Sequence, residues 1–334
     1  METTKLKLWG VVFLAALMGC SDIDDETEVG NWVKYSDFEG VTRSGAVSFT
    51  IGDYAYVGLG TDGDDYLMDF WRYDATQNFW QEMAAFPGPG RIAAVSFSID
   101  GKGYVGTGFN EDLTEEELGD FWEYDPSTNS WSEKAAFGGG ARYAATGFTV
   151  DQRGYIGTGY DGNYRKDFWS YDPSADEWTQ VVSLYGSKRE SAVSFVIEGK
   201  AYVGAGRNNG SYLYDFWAFD PATEGWEDHT LYDDSDYFDE FLAAVSRYGA
   251  VAFTMDGKGY IVGGVASSYS QDVYAYEPNT GEWSQSNSFE GSARSSAVAF
   301  TIQNTGYVGT GKNSTHEFDD FWGFYPDEEY DEYD

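Results

Sequence analysis

The chain has 334 residues, 42% of them hydrophobic and 19% aromatic, with 41 glycines, 7 prolines and a formal net charge of −37. So acidic a chain cannot neutralise a run of phosphates and is repelled by an anionic membrane surface, which excludes nucleic-acid partners and obliges any membrane attachment to use another device. The apolar content excludes general disorder, and the aromatic, glycine-rich balance suits many short strands joined by tight turns.

That other device opens the chain. Lys5 and Lys7 precede an apolar stretch over residues 8–18, followed by Gly19 and Cys20. A basic start and an apolar run this short make a secretory signal over 1–19 rather than a membrane span. Leu17-Met18-Gly19-Cys20 resembles the bacterial lipobox, with Met18 where a small residue is usual, and implies lipidation of Cys20, the chain's only cysteine. An ordinary cleaved signal with an incidental cysteine is the alternative. The acidic run from Ser21 to Glu28, within a tether over 20–30, resembles the surface-export tag of Bacteroidetes lipoproteins; it serves equally as a solvated spacer. The expected address is the bacterial outer membrane, lipid-anchored and facing the cell surface, with the periplasmic face as the alternative.

From residue 31 the chain repeats. Arg-x-x-Ala-(Val/Thr)-x-Phe begins at Arg43, Arg91, Arg142, Arg189, Arg247 and Arg294, at intervals of 48, 51, 47, 58 and 47 residues. Each copy opens on a strand alternating small and large residues, such as 46–51, as face-to-face sheets require. An Asp100-Gly101-type turn then predicts a hairpin into a second strand ending in Gly-x-Gly, as at Gly106-Thr107-Gly108. A variable loop leads to a third strand, Asp-Phe-Trp-x-Tyr-Asp, which begins at Asp69, Asp120, Asp167 and, in looser form, at Asp215 and Asp320; in the fifth copy it weakens to Asp272-Val273-Tyr274. A fourth strand carries a Trp at fixed spacing: Trp80, Trp131, Trp178, Trp226 and Trp283. Four strands per unit is a propeller blade.

A period near 50, glycines after the second strand, a Tyr and then a spaced Trp resemble the kelch family over residues 31–326, although only Gly263-Gly264 has the literal double glycine. The sixth copy lacks a fourth strand, and Asn31-Trp32-Val33 matches one. The predicted fold is therefore all-β: a six-bladed kelch-type propeller, four antiparallel strands per blade, its last blade completed by the N-terminal strand. The acidic tail, 327–334, is expected to fray.

Six of the ten arginines occupy the repeat position. They are predicted either to pair bidentately with the repeat aspartates or to ring the channel mouth as ligand-binding residues for a carboxylate, sulfate or acidic sugar. Tyr66, Tyr160, Tyr164, Tyr212, Tyr214 and Tyr269 fall in the variable loops, where rings stack on sugars, grip a protein or pack locally. Acidic insertions over 111–117 and 227–241 carry no calcium-loop pattern, and neither a metal nor a cofactor is expected. With only His229 and His316 and no second cysteine, the copper site of galactose-oxidase-like propellers has too few ligands. A resemblance to sialic-acid mutarotases implies arginines on a sugar carboxylate and a proton-moving acid or imidazole; Glu190, beside Arg189, and His229 are the catalytic candidates. The uniformity of the copies favours a non-catalytic monomer that binds a protein or glycan on its loop face, with the mutarotase-like enzyme second and an inert spacer third.

Overall fold

The computed structural model describes residues 29–232 and 238–331; the expected signal peptide, Cys20 and all but the end of the tether lie outside the described residues. Six four-stranded antiparallel sheets form the six blades. Blade 1 shows the plan: Val47–Ile51, Tyr54–Gly58, Phe70–Asp74 and Phe79–Glu82, from the axis outwards. The hairpin turns take the left-handed geometry that Asp-Gly predicts, with Asp100 at φ 49° and Gly101 at φ 77°. Blade 3 makes the same turn from Asp151 and Gln152, the latter exposed at φ 60°. Gln152→Gly is expected to raise the unfolding free energy by about 1 kcal/mol, read as a higher urea midpoint, because a side chain in that conformation is strained.

The blades lock together by side chain and by backbone. Each inner-strand Phe enters a notch in the next blade's second strand: a Cβ on Gly103 would lie 2.0 Å from the Phe49 ring, and one on Gly154 2.3 Å from Phe97. Five of the six outer-strand Trp pack on the Phe of the preceding blade's Asp-Phe-Trp, as Trp131 does on Phe70 at 4.9 Å; Trp32, which follows the weakened Asp272-Val273-Tyr274, packs on Phe289 and Phe324 instead. Around the axis, the residue two after each repeat Arg donates its N–H to the equivalent carbonyl one blade back. Gly45 bonds Ser296 (2.8 Å), Ser296 bonds Gly249 (2.9 Å), Gly249 bonds Ser191 (3.5 Å), Ser191 bonds Ala144 (2.8 Å), Ala144 bonds Ala93 (2.9 Å), and Ala93 returns to Gly45 (3.1 Å). All six sit at φ between 50° and 65°, and the ring they close caps a narrow axial channel of 230 Å³ lined by small inner-strand residues.

The N-terminal strand closes the ring as expected. Val29–Lys34 pairs antiparallel with the last strand, Trp32 opposite Phe324, and completes blade 6. That last strand, Phe321–Glu329, runs past the expected boundary at Pro326, so the start of the acidic tail is ordered as strand. Between the pairs Val29–Glu329 and Asn31–Tyr325 the register shifts, so that 326–328 of the last strand bulge opposite Gly30 and absorb Pro326, which has no N–H to give the ladder. The sequence also missed a helix, Phe238–Val245, in the fourth-copy insertion. Its Phe241, Ala244 and Val245 are buried at helical spacing against Trp283 and Tyr276 of blade 5.

Candidate ligand site on the loop face

Each repeat Arg precedes an innermost strand at the end of the blade that carries the variable loops. The structure turns all six inward. Their side chains are at most 1% exposed, and five make close ion pairs with the Asp that opens their own blade's third strand. Arg43 is representative: Nη1 and Nη2 donate to the two carboxylate oxygens of Asp69 at 2.8 and 2.6 Å, Nη1 also to the Leu59 carbonyl at 3.0 Å, and Nε to the Val41 carbonyl. Phe38, from the link out of the preceding blade, lies 4.6 Å over the guanidinium. The clamp explains the phrase Asp-Phe-Trp, because the Trp71 indole N–H donates back to Asp69 at 2.7 Å, a contact repeated by Trp122, Trp169, Trp217 and Trp322.

The clamp also shows why a literal double glycine is not required, since it grips only main chain there. The carbonyl that Nη1 grips belongs to the middle residue of Gly-x-Gly, and that residue is left-handed in every copy. Leu59, Thr107, Thr158, Ala205 and Thr310 lie at φ 56–61°, and Gly263 at 67°. The backbone is thus kelch-like throughout, and only the side chain at x varies.

The expected ring of ligand-binding guanidiniums is therefore corrected: Arg43, Arg91, Arg142, Arg189, Arg247 and Arg294 are buried and spent on the fold, because a carboxylate and a carbonyl already meet each and a ring lies over all but Arg189. Burial works to raise the pKa of Asp69, Asp120, Asp167, Asp215 and Asp320, but the hydrogen bonds and charge of the partner Arg, with the indole N–H, outweigh it and hold all five below the usual aspartate range. An unfolded chain then takes up protons on these groups at a higher pH than the folded one. The stability they contribute is complete above the ordinary carboxylate pKa and is lost as pH falls through the lower folded values. The urea midpoint should drop on acidification below about pH 4, and less steeply in a variant with one clamp replaced by apolar residues.

Blade 5 departs from the plan. Tyr274 stands in the Trp position, Arg247 lies 3.5 Å from Asp272, and that carboxylate is 42% exposed against 19–27% elsewhere. Arg247 instead bonds the helix carbonyl of Ala243 through Nε and Nη2, and burial pushes its pKa below the ordinary guanidinium value.

The face that a ligand meets is set by the residue after each repeat Arg, which bridges to the residue after each Gly-x-Gly. Blades 3 to 5 differ from the rest here. Tyr143 packs on Tyr160 at 5.6 Å, and Tyr160 on Tyr164 at 5.0 Å. Glu190 accepts a hydrogen bond from Arg207 Nε at 2.8 Å, Arg207 lies 4.3 Å over Tyr248, and Tyr248 packs on Tyr212 at 5.7 Å. Glu190 is 5% exposed but Arg207 is 38% exposed, and among the described residues its Nη groups bond nothing. Burial lowers and the Glu190 contact raises the Arg207 pKa, with a net rise. Burial, then the Glu190 charge, pushes the Tyr143 hydroxyl up. This sector is a tyrosine floor with the half-open Arg207 guanidinium; Arg165 of the blade 3 loop is 42% exposed but paired with Asp161 at 2.7 Å.

Of the expected site residues, the structure brings Glu190, Tyr160, Tyr164 and Tyr212 to this sector. Tyr66 reaches blade 2, where its hydroxyl accepts from the Glu111 N–H; Tyr269 bridges within its own loop, and Tyr214 stands on the outer rim. His229 is not brought to Glu190. It follows the outermost strand of blade 4, its Nδ1 2.8 Å from the Tyr276 hydroxyl and its ring against Tyr202. Glu190 precedes the innermost strand, so the width of a blade, about 14 Å at three strand spacings, lies between them. The expected catalytic pair is thus not assembled. Arg207 was missed; its signal was its place directly after Gly206, where the other copies carry Thr61, Phe109, Tyr160, Val265 and Lys312. Among the described residues no three His, Cys, Asp or Glu side chains gather as a metal site.

Comparison with known proteins agrees with this geometry. The family model described as N-acetylneuraminate epimerase matches residues 35–139, and the kelch motif model matches residues 246–289. No curated protein matches the chain. A solved structure titled "Structure of YjhT" aligns over 86% of this chain and 95% of that one with a TM-score of 0.72 at 18% identity, a likeness of fold. With the clamps, the left-handed Gly-x-Gly and the shared sixth blade, these matches make the chain a six-bladed kelch-repeat β-propeller.

Proposed function

We propose that this chain is a lipid-anchored surface protein that binds an acidic glycan, without chemistry, at the mouth of its loop face over blades 3 to 5. The observation that carries the reading is Arg207. In a chain of net charge −37 it is a loop-face guanidinium with open donors, held flat by Tyr248 and Glu190 beside further tyrosine rings. A fork of that kind matches a carboxylate, and the rings match the apolar faces of a sugar. Calorimetry against sialic acids, hexuronic acids and their neutral counterparts tests it. Arg207→Ala is expected to weaken binding of the acidic sugar by about 1.5–3 kcal/mol, roughly ten- to a hundredfold. Equal binding of acidic and neutral sugars, or none of either, would sink the reading.

The match of residues 35–139 to a model described as N-acetylneuraminate epimerase supports a second, enzymatic reading in which Glu190 moves a proton on the same ligand. Anomer exchange followed by NMR separates the two: catalysis accelerates exchange and Glu190→Gln abolishes it, whereas a binder leaves it at the uncatalysed rate. The anchor rests on Leu17-Met18-Gly19-Cys20 and the acidic run behind it. Labelled palmitate should enter the wild-type chain and not Cys20→Ala, and proteolysis of intact cells decides which face displays the propeller.

A further inference from the structure

We propose a second carbohydrate site, for an uncharged oligosaccharide, in a groove on the outer rim of blade 4. It lies apart from the mouth and does not depend on how the mouth is read. The groove has a volume of 430 Å³, within the range of small-ligand sites, and is walled by Tyr185, Tyr214 and Tyr232 over a floor that includes Trp217. These tyrosines are 58%, 51% and 65% exposed, so three of the chain's most exposed large apolar side chains converge on one concavity.

The groove is not a product of the repeat. Tyr185 stands four residues before the repeat Arg and Tyr214 one before the repeat Asp, and no other copy has an aromatic at either position. The third wall comes from the insertion: Trp226 precedes Arg247 by 21 residues, whereas each other outer-strand Trp precedes its Arg by 11. The added chain carries Tyr232, whose hydroxyl donates to Asp228 at 2.7 Å and so holds its ring in place.

The chemistry of the lining selects the ligand. Among the described lining residues the one carboxylate, Asp215, is consumed by Arg189, by the Trp217 indole N–H at 3.0 Å and by the Ser187 N–H at 2.9 Å. Thr230 Oγ1 is held by the Phe216 N–H at 3.0 Å. What remains are flat ring faces and the neutral hydroxyls of Tyr185, Tyr214 and Ser187, for which no partner is seen among the described residues. Among the described residues that line the groove no charge is uncommitted, so this lining gives neither an anion nor a cation a partner. Apolar faces edged by neutral hydroxyls match a pyranose, which stacks its C–H face and exchanges hydrogen bonds around its rim.

The test screens the purified chain against uncharged oligosaccharides on an array and titrates the hits by calorimetry. At least one should bind saturably, Tyr185→Ala and Tyr214→Ala should each weaken it about tenfold or more, and Tyr214→Trp should retain it, with Arg207→Ala without effect. Because these tyrosines are exposed, the Ala variants should melt with the wild type, so lost binding is not lost fold. The proposal is overturned if no uncharged oligosaccharide binds, if binding survives the double tyrosine variant, or if it falls with Arg207→Ala alone, which places the ligand at the mouth.

Discussion

Asp120→Ala is expected to cost about 3–5 kcal/mol of stability, because it leaves the buried guanidinium of Arg91 without its counter-charge. The reverse truncation, Arg91→Met, should cost less. Asp120 is 23% exposed and can hydrate once its partner is gone, and the new side chain still fills space beside Phe86. The Thr107 carbonyl then loses its donor, so the cost stays above zero. Asp272→Ala should be the mildest: Asp272 is 42% exposed at 3.5 Å from Arg247, and the Ala243 and Gly263 carbonyls already hold that guanidinium. Urea midpoints of the three variants test the ordering. Equal losses at Asp120 and Asp272 would mean that the burial of the Arg, which both copies share, and not the closeness of its ion pair, sets the cost.

Trp32→Ala should be comparably severe, about 3–5 kcal/mol for a buried aromatic. Trp32 is fully buried in the closing strand, 4.8 Å from Phe289 and 4.6 Å from Phe324, and so joins blade 5 to blade 6. Trp32→Phe should cost markedly less, since the buried indole N–H has no hydrogen-bond partner among the described residues and its removal relieves part of the loss. Removing the closing strand altogether exposes the backbone edge of Phe321–Glu329, and the truncated chain is expected to self-associate or fail to fold. Circular dichroism melts and size-exclusion chromatography measure both. A truncated chain that stays monomeric and melts with the wild type would show that the ring closes by face packing alone.

The axial ring of six hydrogen bonds and the clamps act on the same short phrase. The Arg anchors its own blade, and two residues on the backbone binds the neighbour, so a lost clamp loosens one interface and one blade together. The helix carbonyl of Ala243 ties the fifth clamp to the insertion that also supplies Tyr232.

The number of blades, the order of strands and the closing role of Asn31-Trp32-Val33 were determined by the sequence alone. Those signals lie along the chain: a period near 50 residues, turn residues at set offsets and a Trp at fixed spacing are read without knowing which residues meet in space. The strand beyond Pro326 was hidden because the strand it pairs with, which continues the ladder past the proline, lies some 300 residues away in the chain. The fate of the six arginines needed the tertiary structure as well, since both a clamp and a ligand ring fit their spacing and only burial separates them. The same holds for the two candidate sites. Tyr143, Glu190, Arg207 and Tyr248 come from three blades, and Tyr185, Tyr214 and Tyr232 from three separate stretches of chain. The first group stands at fixed repeat positions, after the repeat Arg and after Gly-x-Gly, but that these positions meet across neighbouring blades is set by curvature around the axis, not by spacing along the chain.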